Sequence, residues 1–181
     1  MSKALHDGTE LVVLVDTDDQ PVGTMDKLEA HHKGVLHRAF SVFLFDDQGR
    51  VLLQQRAWGK YHTPGLWSNA CCSHVRPGEA LEDAAHRRLY EELGVHAPLE
   101  RRFHFIYRAE VGQGLIEHEV DHVFTGACQG PFHPAAEEVA DLRWVTPGEL
   151  EREMNETPER FTPWLLIAWP RLQRHLALSR T

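Results

Sequence analysis

The sequence predicts an α+β fold, a single domain with a mixed β-sheet core flanked by α-helices, and three observations predict it. The chain has 181 residues, 42% of them apolar, enough for one core that buries roughly two-thirds of the unfolded surface. Runs rich in β-branched and aromatic residues alternate with clusters of Gly, Pro and Asp, the signature of short strands joined by turns. One segment departs from that rhythm: Leu81, Ala85, Leu89 and Leu93 recur every four positions and Gly94 follows them as a helix terminator. No repeat, low-complexity tract or linker divides the chain, so residues 1–181 read as one domain.

Residues 1–10 carry acids and no apolar core of a secretory leader, and are expected to be flexible. Residues 11–15 are a β-branched run ending at the turn cluster from Asp16 to Pro21. Residues 39–45 and 51–55 read as a hairpin around Asp46-Asp47-Gln48-Gly49. Gly59, Pro64 and Gly65 make 56–66 a loop, and 67–74 is extended up to a turn at Pro77-Gly78. After the helix of 79–93, residues 103–109 and 115–124 are strands joined by Gly112-Gln113-Gly114, and 139–145 is a further strand. The remainder is helical: Pro147 opens 149–154, and Pro163 opens 164–178 within a C-terminal helical stretch over 165–181, with Pro170 expected to kink or divide it.

Composition removes several classes of function. Nineteen basic against 27 acidic residues give a net charge of −8 with no basic tail, which disfavours nucleic-acid binding. The longest apolar stretches, 11–15 and 164–169, fall far short of the 18 or more residues of a membrane span. Cys71, Cys72 and Cys128 cannot all pair, and adjacent cysteines are badly placed for a structural disulfide, so a reducing, cytoplasmic setting is expected. The Gly112 to Gly114 turn lies between strands and is no dinucleotide fingerprint, so neither flavin nor nicotinamide is expected.

Two constellations carry chemistry. Gly78-Glu79 is followed, after seven intervening residues, by Arg87 and Arg88, then Glu91, Glu92, Leu93, Gly94 and Val95. On a helix, Arg87 with Glu91 and Arg88 with Glu92 are i,i+4 neighbours, which by itself reads as a solvated face with salt pairs. Further on, Glu117 and Glu119 stand two apart in a strand and share a face, onto which His31, His37 and His74 can converge. Three imidazoles and two carboxylates without a CxxC pattern suit Mg²⁺, Mn²⁺ or Zn²⁺, and spacing does not choose among them. Each histidine taken singly reads as an ordinary polar residue.

The span 78–95 resembles the Nudix box, whose loop and helix supply carboxylates to a divalent metal on a diphosphate. It departs in two places: the leading glycine falls on Ser73, and the glutamate after the arginine is Arg88, a cation where Nudix hydrolases bind the metal that activates water. Trp67-Ser68-Asn69-Ala70-Cys71-Cys72-Ser73-His74, the run from His37 to Phe45, Ile116-Glu117-His118-Glu119-Val120 and Phe161-Thr162-Pro163-Trp164 closely resemble type 1 isopentenyl diphosphate isomerases. The resemblance spans about residues 11–164 and implies a Nudix-like fold that moves the double bond of isopentenyl diphosphate by adding one proton and removing another.

The resemblance also implies roles. Cys72 and Glu119 are expected as the proton carriers, assisted by the Tyr107 hydroxyl. His31, His37, His74, Glu117 and Glu119 are the expected ligands of a divalent metal, with His31, one helical turn after Lys27, taken over its neighbour His32. Glu92 is expected to hold a Mg²⁺ on the substrate diphosphate. Lys27, Arg56, Lys60 and Arg88 gather the anion that an acidic protein otherwise repels, and Trp164 is either an electron-rich wall for developing positive charge or a plain core residue. The expected partner is a small prenyl diphosphate, without nucleic acid or membrane, and the chain is expected as a monomer or weak homodimer. Two other readings stay open: a Nudix hydrolase of a nucleoside diphosphate derivative, and a catalytically silent metal-binding module.

Overall fold

A computed structural model describes residues 10–180, so the expectation of flexibility for residues 1–9 lies outside the described residues. In chain order the elements are β1 (Leu11–Val15), β2 (Pro21–Asp26), α1 (Lys27–Lys33), β3 (His37–Phe45), β4 (Val51–Arg56), β5 (Trp67–Ser68), β6 (Cys71–His74) and α2 (Leu81–Leu93). There follow β7 (Leu99–Glu110), β8 (Ile116–Ala127), β9 (Val139–Val145), α3 (Pro147–Glu156), a 3₁₀ turn (Pro158–Arg160) and α4 (Pro163–Leu178).

The sheet is organised around β3. All of β3 but Arg38 and Phe45 is buried, as its near-continuous apolar run requires of a strand covered on both faces. It pairs in parallel with β8 from His37 opposite Glu119 to Phe45 opposite Ala127, and antiparallel with β6 over residues 39–42. β8 in turn pairs antiparallel with β7, placing Tyr107 opposite Glu119. At the far side β4 carries both β9 and the two-residue β5.

Period-two alternation splits the core between the two faces of this sheet. Phe40, Val42 and Leu44 point one way, against Ala84, Ala85, Leu89 and Leu93 of α2. Phe43 and Val123 point the other way, against Leu150 of α3 and Leu165, Trp169 and Leu172 of α4. The α2 stripe is the one legible in the sequence, although the helix starts at Leu81 and not at 79.

Three elements differ from expectation for local reasons. The stretch after the first turn forms β2 and α1, which carry no readable period: β2 is a mostly exposed edge strand, and α1 spans only seven residues. Residues 67–74 break at Asn69 and Ala70 into two short strands that pair with different partners, β4 and β3. Pro170 lies inside α4, which runs undivided to Leu178 rather than to the end of the chain.

α3 and α4 both open with Thr-Pro and are capped differently. Thr146 makes a full capping box, its hydroxyl accepting from the Glu149 N–H at 3.2 Å and its own N–H donating to the Glu149 carboxylate at 2.8 Å. Thr162 makes no capping bond and donates its hydroxyl to Ser68 Oγ at 3.2 Å.

Candidate active site

Strand register assembles the floor of the site. His37, Glu119 and Tyr107 are directly opposite one another on β3, β8 and β7 and so project from one face. Two residues along, Ala39 lies opposite Asp121 and His74; two further, Ser41 lies opposite Cys72. Residues separated by two thus deliver His37, Ser41, Cys72, His74, Glu119 and Asp121 to the α4 side of the sheet. α1 adds His31 from beside the sheet.

The imidazoles are oriented by backbone. His31 Nδ1 faces the Lys27 carbonyl oxygen at 2.7 Å and His37 Nδ1 faces that of Val35 at 2.8 Å. With hydrogen on Nδ1, each Nε2 presents a lone pair, and both Nε2 atoms are buried without a hydrogen-bond partner. His74 Nε2 is 3.0 Å and His37 Nε2 3.4 Å from the same Glu119 Oε1. One ligand atom from each of His31, His37, His74 and Glu119 lies within 4.8 Å of all the others. Burial, then the neighbouring His74, pushes His31 down to about 3, and burial also lowers His74, so both rings stay neutral as a metal requires. Burial works against the charge on Glu119, yet its carboxylate is held well below the usual range, with His74 Nε2 in hydrogen-bond contact at 3.0 Å. Buried Nε2 atoms with no partner and an adjacent carboxylate fit a divalent cation.

Glu117 lies outside that group of four, beside Glu119 on β8, and Glu92, expected at a Mg²⁺ on the diphosphate, lies apart on α2. Glu117 is engaged by Tyr107, whose hydroxyl oxygen is 2.7 Å from Glu117 Oε2 and 2.8 Å from Glu119 Oε2, and His62 Nε2 lies 3.7 Å from Glu117 Oε1. One phenolic hydrogen cannot serve two carboxylates. Burial and the Glu119 charge push the Glu117 carboxyl well up, so a proton on Glu117 completes the chain from Glu117 through Tyr107 to Glu119. Glu92 Oε1 accepts from Arg88 at 2.6 Å and Oε2 from the Gln54 amide at 2.9 Å. His32, the alternative to His31, is exposed.

Cys72 lines the same cavity of about 100 Å³ as Glu119, Tyr107 and Trp164. Its thiol donates to Asn69 Oδ1 at 3.1 Å and lies 3.4 Å from Ser41 Oγ, whose hydroxyl donates to Asp121 Oδ2 at 2.8 Å. Burial, with the Asp121 charge, raises the thiol far above its ordinary value, so Cys72 rests protonated. Trp164 is almost fully buried, its N–H donates to Ser68 Oγ at 2.8 Å, and the Arg56 guanidinium already sits 5.1 Å from its ring centre.

The rim holds the cations, three of which face carboxylates. Lys27 pairs with Glu10, Lys60 with Glu138, and Arg88 with Glu91, Glu92 and, at 3.4 Å, Glu138. The two pairs expected on the helix, Arg88 with Glu92 and Arg87 with Glu91, both form, but Arg88 and Glu92 line the cavity instead of a solvated face. Arg56 also lines it, with Nη2 donating to the His62 carbonyl at 3.3 Å. Glu79 of the same motif is structural, taking two hydrogen bonds from Arg87 and one from the Arg76 N–H.

All the residues expected at the site therefore lie in or around one cavity. Sequence reasoning missed Glu10, His62 and Glu138, which line it, and Asp121, which lies behind it. Asp121 continues the alternation of Glu117 and Glu119 and was legible on that ground; the other three lie in irregular or terminal segments with no period to betray them.

Comparison with known proteins bears on this cavity. The family model for the NUDIX domain matches residues 35–165. A Burkholderia multivorans protein named isopentenyl-diphosphate Delta-isomerase is 51% identical over 155 residues, covering 86% of this chain and 88% of that protein. A Photorhabdus laumondii protein named isopentenyl-diphosphate Delta-isomerase 2 is 50% identical over 155 residues, with the same coverage of 86% and 88%. Among solved structures, the Deinococcus radiodurans protein DR0079 superposes with a TM-score of 0.73 at 19% identity, covering 90% of this chain and 98% of that one. That likeness establishes the fold alone. Among the described residues, no helix is long and apolar enough to cross a membrane.

Proposed function

The chain belongs to the isopentenyl-diphosphate Delta-isomerase family of NUDIX-domain proteins, and on that premise we propose how its cavity performs the reaction. The enzyme interconverts isopentenyl diphosphate and dimethylallyl diphosphate. A proton is added to the terminal alkene carbon and another is lost from the carbon nearer the diphosphate, and no bond to phosphorus breaks.

The observation that carries the assignment of residues is that Cys72 and Glu119 open onto one buried cavity whose rim carries Lys27, Lys60 and Arg88. An unactivated alkene is a very weak base, so its protonation needs an acid held in place away from water. Cys72, a resting thiol, and Glu119, linked to Tyr107, are the two groups that exchange protons with the five-carbon unit. Their order reverses with the direction of reaction. Trp164 walls the tail, and the developing positive charge lies beside an indole face that already accommodates Arg56. The diphosphate lies at the rim, replacing the carboxylates that hold Lys27, Lys60 and Arg88.

His31, His37, His74 and Glu119 would hold a divalent metal, Mn²⁺, Mg²⁺ or Zn²⁺, with Glu117 behind it. That ion supplies charge that tunes the proton affinity of Glu119. Glu92 is the carboxylate available to a Mg²⁺ on the diphosphate. Hydrolysis is not favoured, because Arg88 puts a guanidinium, which cannot ligate a metal, at the position of a metal-binding glutamate. One chain completes the cavity, so the proposal needs no second subunit.

The test incubates metal-loaded protein with isopentenyl diphosphate in deuterated water and follows both product deuterium and free phosphate. Deuterated dimethylallyl diphosphate without phosphate is expected. Phosphate without isomer would overturn the reading.

A further inference from the structure

Behind the cavity a second set of polar groups is fully buried, and the proton transfers do not use it. Asn69 is at its centre and has no solvent exposure. Its amide nitrogen donates to the carbonyls of Val42 and Cys71, each at 3.0 Å, so both amide hydrogens are committed to backbone and the direction of Oδ1 is fixed. Two donors converge on that oxygen: the Cys72 thiol at 3.1 Å and the Ser68 hydroxyl, also at 3.1 Å. Ser68 Oγ in turn accepts from Trp164 Nε1 at 2.8 Å and from the Thr162 hydroxyl at 3.2 Å. Every hydrogen in this chain has a defined direction, from Trp164 and Thr162 to Ser68, and from Ser68 and Cys72 to Asn69.

The backbone reinforces the link. Trp67 and Phe161 form a parallel β-bridge, and the Thr162 N–H donates to the Trp67 carbonyl at 2.9 Å. The start of α4 is thus fastened to β5 by main chain and side chain together. Thr162 stands at the N-cap of α4, where its hydroxyl would ordinarily accept from the helix's own N–H groups. It points to Ser68 instead, while Thr146 in the same Thr-Pro context caps its helix in full. A local rule broken at one helix and kept at the other marks a place where something besides helix stability is being held.

We propose that Ser68 is a positioning residue that sets the Trp164 indole and the Cys72 thiol at a fixed separation, by taking the indole N–H and giving its own hydroxyl hydrogen to the Asn69 oxygen that holds the thiol. The proposal rests on Cys72 as a proton carrier and on Trp164 as the wall of the tail. Ser68 itself is not among the residues lining the cavity, so it acts through these two. The rim cations Lys27, Arg88 and Lys60 lie elsewhere, on α1, α2 and the 57–66 loop, so displacement of the thiol and indole alters turnover and leaves their hold on the diphosphate unchanged.

The experiment is a double-mutant cycle on Ser68→Ala and Trp164→Phe, with kcat and KM for isopentenyl diphosphate measured for both single variants and the double. Ser68→Ala is expected to lower kcat about tenfold with KM within about twofold, and Ser68→Thr, which restores the hydroxyl, to recover most of the loss. Trp164→Phe keeps an aromatic ring and removes the N–H, so on its background Ser68→Ala should cost less than it does in the parent, the part that acts through Asn69 on Cys72 remaining. Multiplicative losses in the double variant, an unchanged kcat in Ser68→Ala, or a change confined to KM would each overturn the proposal. Should Ser68→Ala not fold, Thr162→Val, which removes one of the two donors to Ser68, is expected to lower kcat with KM constant, and equality with the parent enzyme would overturn it. Cys72→Ala, run alongside, separates the two readings: if it retains turnover, the assignment of Cys72 fails whatever the cycle shows.

Discussion

The floor of the cavity and its rim obey opposite rules. The floor is built from regular strands: His37, Glu119 and Tyr107 are nearly or fully buried and fixed by cross-strand register, with orphaned Nε2 atoms and a thiol that faces only acceptors. The rim is built from α1, α2 and a loop, and its cations are satisfied by carboxylates, Lys27 and Lys60 by the sequence-distant Glu10 and Glu138 and Arg88 by Glu91 and Glu92 of its own helix. Groups at the floor have few alternative partners, whereas those at the rim can exchange a carboxylate for a phosphate of like charge. Chemistry therefore depends on geometry that strands hold rigid, and binding depends on ion pairs that can be traded.

The sharpest way to break this division is at the floor. Cys72→Ala removes a proton carrier without touching the rim, and kcat is expected to fall about ten-thousandfold while KM for isopentenyl diphosphate moves little. Circular dichroism should show the fold intact, since Cys72 contributes one weak thiol bond and modest packing. A large rise in KM with a modest change in kcat would place Cys72 on the binding side and dissolve the distinction.

An effect of intermediate size is expected at the rim. Arg88→Ala removes a guanidinium and leaves Glu92, which lines the cavity, without its cation beside the diphosphate. Burial opposes the charge on Arg88, but Glu92 and Glu138 raise its pKa further, so it is cationic at any working pH. KM should rise about ten- to a hundredfold, the range for losing a charged hydrogen bond, with kcat within about threefold. Added salt should raise the parent enzyme's KM and leave its kcat, because partly exposed pairs are screened and buried ones are not. A loss confined to kcat would show that Arg88 belongs with the floor.

The same division explains what the sequence made legible. Floor residues lie on elements with a period, so Glu117 and Glu119 could be placed on one face from spacing two, while β9 was readable from its β-forming residues and α2 from the Leu81 to Leu93 stripe. Strand period specifies a face and no more: that the Tyr107 hydroxyl would lie within 2.7 Å of Glu117 and 2.8 Å of Glu119 was not readable from it. His31 was reachable only through its position one turn after Lys27, and its helix is too short to be seen as one. Rim partners left no local trace: Lys60 and Glu138 are separated by 78 positions and meet only because β4 and β9 pair. The link from Thr162 to Ser68 is hidden for the same reason, spanning 94 positions.

The smallest effect is expected at a site remote from both regions, and it calibrates the others. Thr146 and Thr162 share the sequence Thr-Pro at the start of a helix, yet Thr146 is capped through Glu149 and belongs to neither floor nor rim. Thr146→Ala removes a hydroxyl that takes one N–H and donates to the Glu149 carboxylate, which costs about 1 kcal/mol for such a cap. For a domain of this length that corresponds to a fall in Tm of roughly 2–4 °C. Turnover should be unchanged at temperatures well below the transition, because no hydrogen bond of Thr146 reaches the cavity. Thr162→Val, measured beside it, removes no helix cap, so its effect on Tm reports only the lost bond to Ser68 while its effect on kcat reports the floor. A pair of variants with equal Tm shifts and equal, unchanged kcat would show that the two helix starts differ in hydrogen bonding and not in purpose.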